Sequence, residues 1–254
     1  MKSLTTANDP VGATAPTKTS ARRAGGDLVL GLLPLLAVTF GMRAALGLPI
    51  DYVMAPLTLY ALQCAAVVSA VPLDAPGHGL GAANRATLGR STLVMPVASL
   101  VLYPMALGGS AAWWIILVGG VALLLDGFDG WLARRTSSCT EFGGRFDMEL
   151  DAFFIMGLSM LVWLSDKVGP WVLLIGAFRY LFVAAGWLWP SLRGELRPSQ
   201  RRKAICTTQG VALLVCLLPV VPATLAAVSA ASALLLLTYS FAVDIRQLAL
   251  TSQR

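Results

Sequence analysis

Charge is scarce in this sequence. Asp, Glu, Lys and Arg make up 13% of its residues, against 57% that are apolar, and the mean hydropathy is +0.74. That balance lies far above a soluble domain and points to membrane spans of about 20 residues each. Histidine is almost missing. His78 stands alone in a Gly- and Pro-rich stretch, LDAPGHGLGAANRATLGR, and is given no role. The four cysteines, Cys64, Cys139, Cys206 and Cys216, show no metal-ligand spacing, so neither a disulfide framework nor a zinc site is implied. The first 26 residues have no apolar core, which argues against a secretory signal. Their Thr, Ala and Gly content predicts a disordered cytosolic tail over residues 1–27, with a transit peptide as the alternative.

The chain does hold long apolar runs. They predict an all-α, polytopic membrane helix bundle of eight spans in one integral membrane domain. Two spans come first, at 28–47 and 52–72, within an additional N-terminal segment, residues 28–73. A six-helix core over residues 84–246 follows, with spans near 88–107, 111–130, 147–165, 170–190, 205–221 and 223–243. Placing the N-terminus in the cytosol and alternating puts sixteen Lys and Arg on the cytosolic side. Only Arg43 and Lys167 fall on the other, and Arg179 falls inside a span. This agrees with the positive-inside rule, and seven spans would break the agreement. The net charge of +6 is therefore better read as topology and anionic-lipid contact than as nucleic-acid binding. Trp113, Trp114, Trp163, Trp171, Trp187 and Trp189 lie near predicted span ends, as an aromatic belt would place them.

Against so little charge, the stretch DGFDGWLARRTSSCTEFGGRFDMELD stands out. Asp126, Asp129, Gly130 and Ala133 fall at i, i+3, i+4 and i+7, one face of a helix. Gly143, Asp147 and Asp151 fall at i, i+4 and i+8, again one face, and the short RRTSSCTEF can turn the chain back between them. Two carboxylate-bearing stripes then meet across a helical hairpin. One Asp near a bilayer centre costs about 2.5–3.5 kcal/mol on insertion scales, so a cluster of four calls for cations. Hard oxygen ligands suit Mg²⁺, Mn²⁺ or Ca²⁺, and carboxylates on facing helices can build a two-metal site. Gly127, Gly130, Gly143 and Gly144 leave room for a bulky ligand beside them.

The spacing D-x2-D-G-x2-A-R-x8-G-x3-D-x3-D is carried here by Asp126, Asp129, Gly130, Ala133, Arg134, Gly143, Asp147 and Asp151. It resembles the signature of the CDP-alcohol phosphotransferases, membrane enzymes that make phospholipid head groups, with no departure in type or spacing. The resemblance implies that Asp126, Asp129 and Asp147 bind two divalent cations (Mg²⁺ or Mn²⁺). Asp151 would complete the shell and act as general base. It assigns Gly130, Ala133 and Gly143 to the cytidine and ribose pocket, where close helix packing is the alternative for small residues. Arg134 would meet a diphosphate oxygen or an acidic partner, or snorkel to the interface. Asn84, Thr87 and Arg90 form N-x2-T-x2-R on one helical face, and a similar stripe in the family contributes to nucleotide binding. A capped helix start with a positive-inside Arg would look the same.

Two basic features remain. Arg179 sits mid-span, which is costly and calls for a cavity or a partner. It would hold an acceptor phosphate, as the resemblance suggests, or form an ion pair with an Asp. Arg193, Arg197, Arg201, Arg202 and Lys203 precede a later span. They would serve topology and anionic lipid, or grip phosphate through Arg forks; Arg201, Arg202 and Lys203 are the candidates for an acceptor phosphate. The expected function is transfer of a phosphatidyl group from a CDP-alcohol, most simply CDP-diacylglycerol, to the hydroxyl of a small polar acceptor, with release of CMP. The family resemblance also implies a homodimer. A divalent-cation transporter would place its Asp at mid-membrane and show an inverted repeat. A prenyltransferase would carry two separate Asp-rich motifs. Neither pattern is found.

Overall fold

The computed structural model describes residues 18–70, 81–136, 141–189 and 199–251. Among these there is no strand, and eight α-helices follow in order. They are α1 (Lys18–Leu46), α2 (Met54–Ala70), α3 (Gly81–Ser99), α4 (Ser110–Thr136), α5 (Glu141–Leu164), α6 (Leu173–Leu188), α7 (Gln200–Leu217) and α8 (Ala223–Thr251). His78 and Cys139 lie outside the described residues. α1 opens at Lys18, earlier than the apolar run alone indicates, because the polar TSARRA segment is compatible with a helix and extends it.

Among the described residues, five helical stretches are long and apolar enough to cross a membrane: Gly25–Leu46, Ile50–Ser69, Ser110–Gly127, Pro170–Leu188 and Ala223–Gln247. The other three helices, α3, α5 and α7, are interrupted by more polar and charged positions. α3 shows why. Asn84, Thr87, Arg90, Ser91 and Thr92 are all buried on it, so its surroundings are protein rather than lipid. Its hydroxyls are satisfied along the helix itself: Ser91 Oγ donates to the Leu88 carbonyl at 2.7 Å and Ser99 Oγ to that of Met95 at 2.8 Å. The helix of the span expected over 88–107 is shifted toward the N-terminus, to Gly81–Ser99. α3 ends at Ser99 and gives way to two 3-10 turns, Leu100–Leu102 and Pro104–Ala106, because Pro104 cannot continue the hydrogen-bond ladder.

α3 is the axis of the packing. α1, α2, α4 and α5 all lie against it, while α7 packs on α4, α5 and α8. The first two helices and the 3-10 turn between them, Ile50–Val53, are tied to α3 by side chains. Tyr52 OH donates to the Pro96 carbonyl at 2.8 Å, Gln63 Nε2 to Ser91 Oγ at 2.9 Å, and Arg85 Nε to Asp27 at 2.9 Å. At the opposite end of α5 from its carboxylates, Lys167 Nζ donates to the carbonyls of Leu218 and Val221. It thereby satisfies groups that the end of α7 leaves open.

One close contact fixes α6 on α5. A Cβ placed on Gly176 would lie 2.5 Å from the Cα of Met156, so only glycine lets the two backbones approach this far. Gly176→Ala is expected to destabilise the protein by about 1–3 kcal/mol, the usual cost of overpacking. A lower melting temperature of the purified variant in detergent checks this, and an unchanged one refutes it.

Candidate metal centre

Three of the four Asp of the motif can be located with their side chains, and they meet. Asp126 comes from the later turns of α4, and Asp147 and Asp151 from one face of α5. A carboxylate oxygen from each lies within 4.8 Å of the other two. The carboxylates expected from the spacing to converge from α4 and α5 therefore do so at these three residues. Asp129 continues α4 one turn beyond Asp126. Its side chain, with those of Gly130, Ala133 and Arg134, lies outside the described residues.

A cation already sits among these carboxylates, and it comes from α3. Arg90 Nη1 is 2.6 Å from Asp126 Oδ1 and 2.9 Å from Asp147 Oδ1, while Nη2 binds Asp151 Oδ1. The Arg90 side chain is 2% exposed. A planar guanidinium offers five N–H donors in a fixed fork, so one side chain can bridge three carboxylates where an ammonium could not. Lys203, on α7, is within Coulombic range of both Asp147 and Asp151. Cys206 approaches from the same helix, with Sγ 3.8 Å from Asp151 Oδ2.

The donor set fits a hard divalent cation. Three carboxylates are gathered in a small volume, and Arg90 balances one of their negative charges. Oxygen ligands of this kind suit Mg²⁺ or Mn²⁺ better than a soft metal. Cys206 does not change that, because its sulfur is one atom among oxygens.

The remaining candidates fall into place around this centre. Asn84 and Thr87 are buried on α3, about two turns and one turn before Arg90 respectively. Gly143 is buried on the first turn of α5, one turn before Asp147. Arg201 and Arg202, at the start of α7, reach across to α8. Arg201 Nη2 pairs with Asp244, its Nη1 is 3.3 Å from the Ser240 carbonyl, and Arg202 Nη1 is 3.7 Å from Asp244. Arg179 is not brought to the cluster. It pairs with Glu149, two residues beyond Asp147 and so on the other side of α5. The ion-pair reading of Arg179 is the one the geometry favours, with a Glu in place of the Asp expected.

Four participants were not singled out by the sequence for this centre or its surroundings: Arg90 as a partner of the carboxylates, Cys206, Glu149 and Asp244. A buried-charge argument points toward Arg90, since an Arg on a helix with Asn and Thr needs an acidic partner somewhere. No local spacing names that partner.

A family model described as CDP-alcohol phosphatidyltransferase matches residues 80–243, the stretch from the start of α3 into α8. No curated protein and no solved structure matches the chain.

Proposed function

Because the chain belongs to the CDP-alcohol phosphatidyltransferase family, which transfers substituted phosphate groups in the membrane, we propose that it moves a phosphatidyl group from CDP-diacylglycerol to the hydroxyl of a small polar acceptor. The observation that carries this reading is the meeting of Asp126, Asp147 and Asp151 from two helices, around a guanidinium from a third.

An alcohol attacks phosphorus weakly until its proton is removed. Asp151 is our candidate for the base: its side chain is 24% exposed, open enough to meet a substrate, while its Oδ1 is steadied by Arg90. The acceptor oxygen then forms a bond to the lipid-bearing phosphorus. The phosphoanhydride bond to the other phosphorus breaks, and CMP leaves with the electron pair while Asp151 holds the proton. Asp126, Asp147 and Asp151, with Asp129 by its place in the motif, would hold two divalent cations, Mg²⁺ or Mn²⁺. Their chemistry when bound is to neutralise charge on the diphosphate. Asn84, Thr87, Gly130, Ala133, Arg134 and Gly143 would form the nucleotide pocket beside them. Arg201, Arg202 and Lys203, at the start of α7, favour an acceptor that itself carries a phosphate, such as glycerol phosphate or inositol phosphate.

The protein is a multi-pass membrane protein, as its five long apolar helices and its family indicate. The distribution of Lys and Arg supports a cytosol-facing site and cytosolic termini in a plasma or inner membrane. Family analogy alone supports a homodimer.

The reading is checked by CMP release from CDP-diacylglycerol across a panel of acceptors, using purified protein with Mg²⁺ or Mn²⁺. Turnover with one acceptor class is expected, and chelation should lower it at least a hundredfold, with recovery on adding the cation back. Metal flux into liposomes without any CDP-alcohol requirement would instead identify a transporter.

A further inference from the structure

Asp244 is a buried acid that the proposed reaction does not use. It sits on the last third of α8, 3% exposed, just past the stretch that the family model matches. Both of its ion-pair partners are at the start of α7. Arg201 Nη2 pairs with its Oδ1, and Arg202 Nη1 lies 3.7 Å from the same oxygen. Arg201 is gripped a second time, by the Ser240 carbonyl at 3.3 Å, one helical turn earlier on α8. The carboxylate side chain is 4% exposed, whereas those of Arg201 and Arg202 are 28% and 29% exposed. The acid therefore lies beneath and the guanidiniums lie between it and the open side. Arg201 uses Nη1 and Nη2 in these bonds and keeps further N–H donors for a ligand.

The same turn of α7 has a second bias toward anions. The first N–H groups of a helix carry roughly half a positive elementary charge, and this helix begins at Gln200. Lys203, on the same turn, lies within electrostatic reach of Asp147 and Asp151. Arg201, Arg202 and Lys203 thus run from the α8 contact to the carboxylate cluster within one turn.

We propose that Asp244 is a positioning residue for acceptor selection: it holds Arg201 and Arg202 as a preformed receptor for the phosphate of the acceptor. A free Arg side chain loses much rotamer freedom when it closes on a ligand, and a fork already held by a buried carboxylate has less to lose. Phosphate approaches from the exposed side and need not displace the acid. Loss of the acid therefore weakens the acceptor's phosphate and leaves the donor and the chemical step nearly alone. This rests on the transferase reading above and on a phosphorylated acceptor.

The experiment uses the full-length enzyme with glycerol phosphate and inositol phosphate, and with glycerol and inositol as unphosphorylated controls. Inorganic phosphate is added as a competitor. Asp244→Asn is expected to raise KM for the phosphorylated acceptor, and the inhibition constant of inorganic phosphate, about tenfold. KM for CDP-diacylglycerol and kcat should stay within about twofold. Asp244→Glu, which keeps the charge, should recover most of the loss. Arg201→Lys, which keeps a cation but not the fork, should reproduce the acceptor-specific defect and serves if Asp244→Asn does not accumulate. An unchanged or lowered acceptor KM overturns the proposal, as does an equal loss in kcat and donor KM, which marks a merely structural residue. A wild-type enzyme that turns over only with unphosphorylated acceptors overturns it while sparing the transferase reading. One that releases no CMP with any acceptor removes both.

Discussion

Asp151→Asn is expected to reduce kcat for CMP release by about 10²–10⁴-fold, the usual contribution of a general base. The substitution keeps the shape of the side chain and its ability to accept a hydrogen bond from Arg90, but an amide cannot take a proton from the acceptor. The donor's KM should move much less than kcat, because the hydroxyl proton is transferred only as the new bond forms. Asp151 stands on the same helical face as Asp147 and keeps a second oxygen, Oδ2, facing Cys206 at 3.8 Å rather than Arg90. Steady-state kinetics at saturating donor and acceptor decide the matter. If the variant turns over like the wild type, the proton goes to another group and the role given to Asp151 is wrong.

Arg90→Ala should do most of its damage to stability when divalent cations are absent. The guanidinium is buried and bridges carboxylates from two other helices. Removing one partner of a buried ion pair costs about 3–5 kcal/mol, because the other is left uncompensated. Here three acids are left facing one another. Added Mn²⁺ or Mg²⁺ should therefore raise the melting temperature of the variant more than that of the wild type. Thermal unfolding in detergent, with EDTA and then with each cation, measures this directly. Equal shifts in the two proteins would mean that Arg90 and the cation do not answer the same charge.

The convergence of carboxylates from α4 and α5 was legible because its signal is local. Spacings of three, four and seven residues state which side chains share a helix face, and the faces that carry Asp126, Asp147 and Asp151 do meet. Partners across the bundle were not legible. Arg90 was placed on the correct face of α3 with Asn84 and Thr87, yet its carboxylates lie 36, 57 and 61 residues away along the chain. Arg201 and Asp244 are separated by 43 residues and Arg179 and Glu149 by 30, so the same holds for them. Hydropathy had its own blind spot. The helices that carry Arg90, Asp147, Asp151, Glu149 and Arg201, namely α3, α5 and α7, are missing from the five stretches that are apolar enough by themselves to cross a membrane. On α3 the polar residues are buried in protein, which a scale built on transfer to lipid does not recognise.

The tethers from Tyr52 and Gln63 to α3 also bear on how a lipid reaches the carboxylates. With α1 and α2 laid along that flank, α3 is curtained from the surrounding acyl chains. If the donor is the lipid proposed above, its tails would have to arrive by another side of the bundle, and the N-terminal pair would give that entry a direction.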